Sequence, residues 1–248
     1  RIMRQHIRYI ISVILLLFHI HPTYSQIWIN EFIASNSSIN QDPDYAEFSD
    51  WVELYNSGQV AMNLKGYYLT DNLDNPVKWQ ITENFYIESR GFALIWTDGM
   101  SGGMHTNYKL AAEGEEIGLF SPTKVLLDSI IFSAQKTDIS AGRSQNGSGV
   151  WGNYLIPTPG ASNTTSEFFA DYTKNAPDFS VKGGIYESTQ SLELTTQLGG
   201  TIRYTLDGSE PQETSQVYIE PLELSANTVV RARIFKPGMI PGPVVTQS

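Results

Sequence analysis

Asp50-Trp51-Val52-Glu53-Leu54-Tyr55-Asn56, and after it Leu64-Lys65-Gly66-Tyr67-Tyr68-Leu69-Thr70-Asp71, are the stretches whose reading decides the fold. In an extended chain successive side chains point to opposite faces, so Val52 and Leu54 share one face while Trp51, Glu53 and Tyr55 share the other. Asn56-Ser57-Gly58 is a turn, and Asp71-Asn72-Leu73-Asp74-Asn75-Pro76 closes the second strand. Upstream, Ile27 to Ile33 is β-branched and aromatic, followed by a polar loop from Ser35 to Asp44. Downstream, Val77 to Ile81, Phe85 to Ile87, Phe92 to Trp96, Glu116 to Phe120 and Val125 to Phe132 continue the pattern. No fifteen-residue stretch holds a 3.6 period. Half-apolar sheets need another sheet to cover them, so the expected fold class is all-β, with two immunoglobulin-like sandwiches in tandem.

The second sandwich follows from the strands Ser191 to Thr196, Thr201 to Thr205, Val217 to Ile219 and Leu222 to Leu224, and from Thr228 to Phe235, expected as the last strand. Within that last run Val230, Ala232 and Ile234 share a face opposite Val229, Arg231, Arg233 and Phe235. Ile156-Pro157-Thr158-Pro159-Gly160 is turn-prone and Ala161 to Ser166 small and polar, which predicts a border crossed by few contacts, while Phe168-Phe169-Ala170-Asp171-Tyr172 reads either as cover for a sheet edge or as the opening of the second domain. The expected organisation is 1–25 signal peptide, 26–160 first sandwich, 161–177 linker and 178–248 second sandwich.

The compartment is read from the N-terminus. Arg1, Arg4 and Arg8 precede the apolar run Ile10 to Ile20, Thr23-Tyr24-Ser25 offers small residues at the cleavage positions, and no acidic residue lies within 1–25. That run is shorter than the roughly 20 residues a spanning helix needs, so cleavage before Gln26 is expected, with no stable membrane insertion afterwards. Without Arg1, Arg4 and Arg8, 13 basic side chains face 26 acidic ones, a formal net charge of −13. Such a balance repels polyanions and argues against a nucleic-acid partner. There is no cysteine, so disulfides, thiolate chemistry and cysteine metal sites are excluded.

Candidate chemistry is sparse. His105, the one histidine beyond residue 25, stands in the glycine-rich run Gly102-Gly103-Met104-His105; a zinc site there would have carboxylates alone to help it, so the favoured reading is a surface or loop residue, without the third group a Ser/His/Asp arrangement needs. Asp42, Asp44, Glu47 and Asp50 could offer hard oxygens to calcium, but the twelve-residue calcium-loop spacing is missing. Glu113, Glu115 and Glu116 read as a solvated cluster. No phosphate loop or nucleophile elbow occurs. Trp28, Trp51, Trp79, Trp96 and Trp151 raise a sugar-stacking alternative, with Trp51 the one to watch; core packing is the favoured reading. Thus no catalytic, cofactor or metal residue is assigned and no cofactor is expected.

Three pieces in the first half resemble the lamin tail domain: Ile29-Asn30-Glu31-Phe32; Asp50 to Asn56 with Leu64 to Asp71; and Gly142 to Trp151 with Thr158-Pro159-Gly160-Ala161-Ser162-Asn163. They cover residues 26–163. In residues 178–248, Gly183-Gly184-Ile185-Tyr186, Ile202 to Pro211, Ser215 to Tyr218 and Val230-Arg231-Ala232-Arg233 resemble the C-terminal immunoglobulin-like domain of chitobiase and β-hexosaminidase chains. These resemblances imply a non-catalytic binding, adhesion or scaffold module, with a carbohydrate-binding accessory region of a secreted hydrolase as the alternative and a free-standing enzyme as a third reading. They imply export to a bacterial cell surface, periplasm or medium, and a cell-surface protein or glycan as partner. They also imply a covalently linked downstream domain, of spore-coat-kinase-like or hydrolase type, after Ser248.

Overall fold

The computed structural model describes residues 26–100 and 102–248, so the expected signal peptide lies outside the described residues. What is described is essentially all β, the one helical element being the 3-10 turn Asn163–Thr165. In the first half a five-stranded antiparallel sheet runs in the order Trp151–Tyr154, Ser140–Arg143, Ile27–Ile33, Trp51–Asn56, Phe92–Trp96. A four-stranded antiparallel sheet, Trp79–Gln80, Tyr68–Thr70, Gly114–Phe120, Leu126–Ser133, covers it. Ile29, Phe32, Val52, Leu54 and Ile95 from one sheet and Leu69, Ile117 and Leu119 from the other meet in the core, each fully buried. The alternation read from Val52 and Leu54 is therefore real, but the opposite face is not wet: Trp51, Glu53 and Tyr55 are buried too.

A bulge explains how one strand serves both faces. Ile29 lies opposite Leu54 and Glu31 opposite Glu53, leaving Asn30 as the extra residue. An inserted residue reverses the parity of everything after it. Ile29 and Phe32, three apart in sequence, thus both reach the core, while Glu31 and Ile33 go to the outer face. The backbone groups that the bulge frees must find partners. Ile29 N–H donates to Asp128 Oδ2 at 2.8 Å, Arg143 Nε donates to Ile29 O at 2.7 Å, and Asn163 Nδ2 donates to Asn30 O at 3.2 Å. Arg143 and Asp128 pair with each other at 2.7 Å, nearly buried, and the guanidinium lies over the rings of Trp28 and Trp151.

The same bulge sets two carboxylates side by side in the sheet. Glu31 accepts from Ser140 Oγ and from both the N–H and the hydroxyl of Thr158. Glu53 accepts from Asn30 Nδ2 at 3.0 Å and Gly160 N–H at 2.6 Å. Asn163 completes the closure, donating to Arg143 O and accepting from Asn30 Nδ2 at 2.7 Å each. A side chain at Gly142 would stand 3.0 Å from Asn163 Nδ2 and 3.0 Å from Tyr154, so this approach needs glycine there. Gly160 turns at φ 77°, a conformation glycine adopts freely. Asn56 closes its turn as expected, accepting from Gly58 N–H at 2.8 Å.

The second half builds on the sheet Gln216–Val217, Thr201–Thr205, Val230–Phe235, Val245–Gln247. Val230, Ala232 and Ile234 face its core with Leu192, Leu194, Ile202 and Tyr204. Asp207 accepts from the N–H and hydroxyl of Ser209, which shapes the turn after the strand Thr201–Thr205. One expectation is corrected: Thr228 to Phe235 is not the last strand. Val245–Gln247 pairs antiparallel with Val230 to Ala232. It is an edge strand, where the preceding Pro241 and Pro243 remove no ladder bond.

Residues 161–177, read from sequence as a linker crossed by few contacts, are fastened on both sides. Phe169 exchanges backbone bonds with Asn153 of the first sheet, while Asp171–Tyr172 runs parallel to Met239–Ile240 of the second half. Asn163, Phe169 and Thr173 are buried. Lys136 lies over the Tyr172 ring at 4.5 Å. Ala161 to Ser166 are small and polar, but Phe168 and Phe169 are not, and Phe169 covers the edge strand Trp151–Tyr154 of the first sheet.

Burial pushes Glu53 up from its ordinary 4.5 to about 8, against the hydrogen bonds from Asn30 and Gly160 and helped by the Glu31 charge. Burial raises Glu31 as well, against bonds from Ser140 and Thr158. Because both folded values lie above the unfolded one, folding takes up protons. The associated stability is complete below pH 4.5 and is lost as pH rises toward 8. Chemical denaturation across this range should show stability falling by roughly 3–5 kcal/mol for the Glu53 contribution. Glu53→Gln should flatten that fall while lowering the acid-side stability by about 1–3 kcal/mol, since the amide offers one acceptor where Glu53 offers two. A slope unchanged by the substitution would refute the assignment.

Candidate functional site

The residues with chemical potential converge where the loop after Ile33 meets the end of the strand Phe92–Trp96. The chain from Thr97 to Lys109 folds back along this end. Trp96 N–H donates to Met104 O, Thr106 N–H to Trp96 O and Gly99 N–H to Tyr108 O. Facing it, Asp42 N–H donates to Glu47 O and Ala46 N–H to Asp42 O, which makes 42–47 a tight loop. Thr97 N–H donates to Asp50 O and ties the two segments together. Beneath lies a satellite core of Ile33, Trp51 and Trp96, with Ile39 and Leu94 against it.

His105, expected as a surface or loop residue, does lie in a loop but is 3% exposed and held by carboxylates on both ring edges, which corrects the surface part of that reading. Nδ1 lies 2.8 Å from Asp98 Oδ2 and Nε2 lies 3.1 Å from Asp44 Oδ2. Asp42 Oδ2 stands 3.8 Å from Nδ1, and the Tyr45 ring meets the imidazole edge to face at 4.9 Å. Asp42 is fully buried. Its Oδ1 accepts from Asp44 N–H, but its Oδ2 has no hydrogen-bond partner. Burial lowers the His105 pKa, while the bonds to Asp98 and Asp44 raise it more; the net shift is upward. Asp42, Asp98 and His105 can each offer one ligand atom, all within 4.8 Å of one another.

Other candidates are dispersed. Asp50 turns away from the cluster to accept from Asn36 N–H, and burial carries it up to about 6 against that bond and the Lys109 charge. Glu47 is exposed. Glu115 and Glu116 accept from Ala111 and Leu73 N–H groups. Asp98 is the residue that sequence reading missed. Nothing in Thr97-Asp98-Gly99 distinguishes it from an ordinary turn until the chain folds back and brings it to His105. The arrangement is not a hydrolytic dyad, because the ring nitrogen that would act as base faces the Asp44 carboxylate rather than a hydroxyl.

The tryptophans are accounted for by packing. Trp51 is 0% exposed and Trp96 6%, and Trp28, Trp79 and Trp151 are half-buried. In the second half a groove between 181–190 and 224–230 is lined by Val181, Ile185, Tyr186, Gln190, Asn227 and Thr228.

The strand with its bulge and the Asp207 turn both fall inside stretches that sequence comparison matches. Residues 21–134 match the Lamin Tail Domain family and residues 181–246 the Chitobiase/beta-hexosaminidase C-terminal domain family. The chain is a lamin tail domain followed by a chitobiase C-terminal-like domain. The lamin-tail match ends at 134, yet Ser140–Arg143 and Trp151–Tyr154 complete that domain's sheet. Both are non-catalytic domain types. No curated protein matches the chain.

Burial of Trp51 beneath the 36–50 loop of the lamin tail domain makes a stability prediction. Trp51→Ala should lower unfolding free energy by about 3–5 kcal/mol, the usual cost of emptying a buried aromatic site. A loss below about 1 kcal/mol in a denaturant titration would show that this satellite core carries little.

Proposed function

We propose that this chain is a non-catalytic accessory module of an exported bacterial protein, holding a covalently linked downstream domain at the cell surface and contacting a surface protein or glycan. The junction carries this reading. The segment Phe169 to Thr173 is hydrogen-bonded to the lamin tail domain at Asn153 and to the chitobiase-like domain at Gly238 to Ile240. Two accessory domains joined in this way suit a spacer of set geometry better than a loose tether. A net charge of −13 beyond residue 25 favours solubility and disfavours nucleic acid. Among the described residues no helix is long and apolar enough to cross a membrane.

A second reading, carbohydrate binding, is favoured by the groove of the chitobiase-like domain. There the half-exposed Tyr186 ring lines the same groove as Gln190 and Asn227, and an amphipathic aromatic ring can stack on a sugar face while amides bond its hydroxyls.

The purified protein, screened on a glycan array and against a panel of hydrolase substrates, should give no turnover; reproducible turnover would overturn the accessory reading. Saturable glycan binding abolished by Tyr186→Ala would replace the spacer role with the second reading. Protein recovered from the envelope or medium should begin at Gln26 by intact mass, and retention of Arg1 there would contradict processing on export.

A further inference from the structure

We propose that Asp42, Asp98 and His105 of the lamin tail domain bind one first-row divalent transition cation, of the zinc class, with Asp44 orienting the imidazole.

The buried Asp42 Oδ2 is the observation that asks for a ligand. It is a carboxylate oxygen in a fully buried side chain, aimed at His105 Nδ1 from 3.8 Å, and it accepts no hydrogen bond. Buried polar atoms are almost always satisfied, and an unsatisfied carboxylate oxygen is costly. A cation seated among Asp42 Oδ2, Asp98 Oδ2 and His105 Nδ1 satisfies it. The separations fit. In a tetrahedral site with bonds of about 2.0–2.1 Å, ligand atoms stand roughly 3.3 Å apart, and the Nδ1 distances to Asp98 Oδ2 and Asp42 Oδ2, 2.8 Å and 3.8 Å, bracket that value.

The far side of the ring provides an independent argument. A metal-bound histidine commonly donates its other N–H to a carboxylate, which fixes tautomer and ring orientation. His105 Nε2 has such a partner in Asp44 Oδ2 at 3.1 Å. The cation displaces the proton that Nδ1 shares with Asp98 and releases it to solvent; with Nε2 still protonated toward Asp44, the freed Nδ1 lone pair points toward Asp42 and Asp98. The ring is further fixed by Tyr45, edge to face. Two carboxylates also neutralise the charge of one divalent ion.

The donor set selects the class of ion. Calcium takes six to eight oxygen ligands in flexible loops, and three protein donors that include a nitrogen fit it poorly. Imidazole with two carboxylates suits zinc and its first-row neighbours, with water completing the coordination. The site joins three separate segments: Asp42 from the loop after Ile33, Asp98 from the end of the strand Phe92–Trp96, and His105 from the returning chain. An ion there fastens the loop that displays Tyr45 and Phe48, about 42% and 41% exposed.

The full chain, made without a polyhistidine tag and stripped with a chelator, should bind close to one equivalent of Zn2+ by isothermal titration calorimetry with metal analysis after dialysis. Its melting temperature should rise with Zn2+ and stay unchanged with Ca2+. The isosteric variant Asp42→Asn and the variant His105→Gln should each weaken zinc binding at least tenfold, with apo far-UV circular dichroism like that of the parent. If either variant misfolds, Asp98→Asn serves in its place. Stoichiometry below 0.2 equivalents, binding that survives all three substitutions, or a melting shift produced by Ca2+ instead of Zn2+ would each overturn the proposal.

Discussion

The bulge at Asn30 is the constraint on which the lamin tail domain depends. One extra residue in a central strand puts Ile29 and Phe32 on the same face, which the core requires. The cost is a set of unpaired backbone groups and two glutamates brought opposite each other in a buried stretch of sheet. Every distant piece that closes the domain answers one of those needs. Arg143 and Asp128 take the backbone of Ile29, Asn163 takes the carbonyl of Asn30, and Thr158, Ser140 and Gly160 take the carboxylates. A network of this kind is valuable only when complete, because each buried group left without its partner costs about 1–3 kcal/mol. This gives a physical reason for Asn30-Glu31, Glu53, Arg143 and Asn163 to occur together in one sequence.

The outer face of the same sheet is finished differently along its length. Around Glu31 and Glu53 it is sealed by polar groups; around Ile33, Trp51 and Trp96 it is sealed by a small apolar cluster under the 36–50 loop. The carboxylate and imidazole cluster sits at the rim of that cluster, between two segments joined elsewhere by the Thr97 to Asp50 hydrogen bond. A long acidic loop would otherwise repel itself, and the two ring nitrogens of His105, each within hydrogen-bond reach of a carboxylate, hold Asp98 and Asp44 about one side chain.

Much of the fold was legible because period two and turn residues are local signals. Val52 with Leu54, and Val230 with Ala232 and Ile234, were placed on core faces by alternation alone, and the structure buries all five. The turn at Asn56 follows from a side chain bonding nearby backbone. What was not legible is non-local. The reversal of parity at Asn30 shows only once Ile29 and Phe32 are known to share a core. The burial of His105 depends on a loop folding back to Trp96, and neither glycines nor a lone histidine announce that path. Two prolines mask the strand Val245–Gln247, and the small polar residues Ala161 to Ser166 look like a tether whether or not their backbone is paired, although the apolar Phe168 and Phe169 beside them do signal cover for a sheet edge.

The order of strands in the lamin tail sheet has a mechanical meaning. Ile27–Ile33 and Trp151–Tyr154 are both antiparallel to Ser140–Arg143, which lies between them, so they run in the same direction. The beginning of the first and the end of the last therefore lie at opposite ends of the sheet. Tension between those two points acts along the strands and across both ladders at once. The hydrogen bonds are strained together in shear rather than peeled apart singly, and the buried Arg143 clamp lies directly in the path of the load.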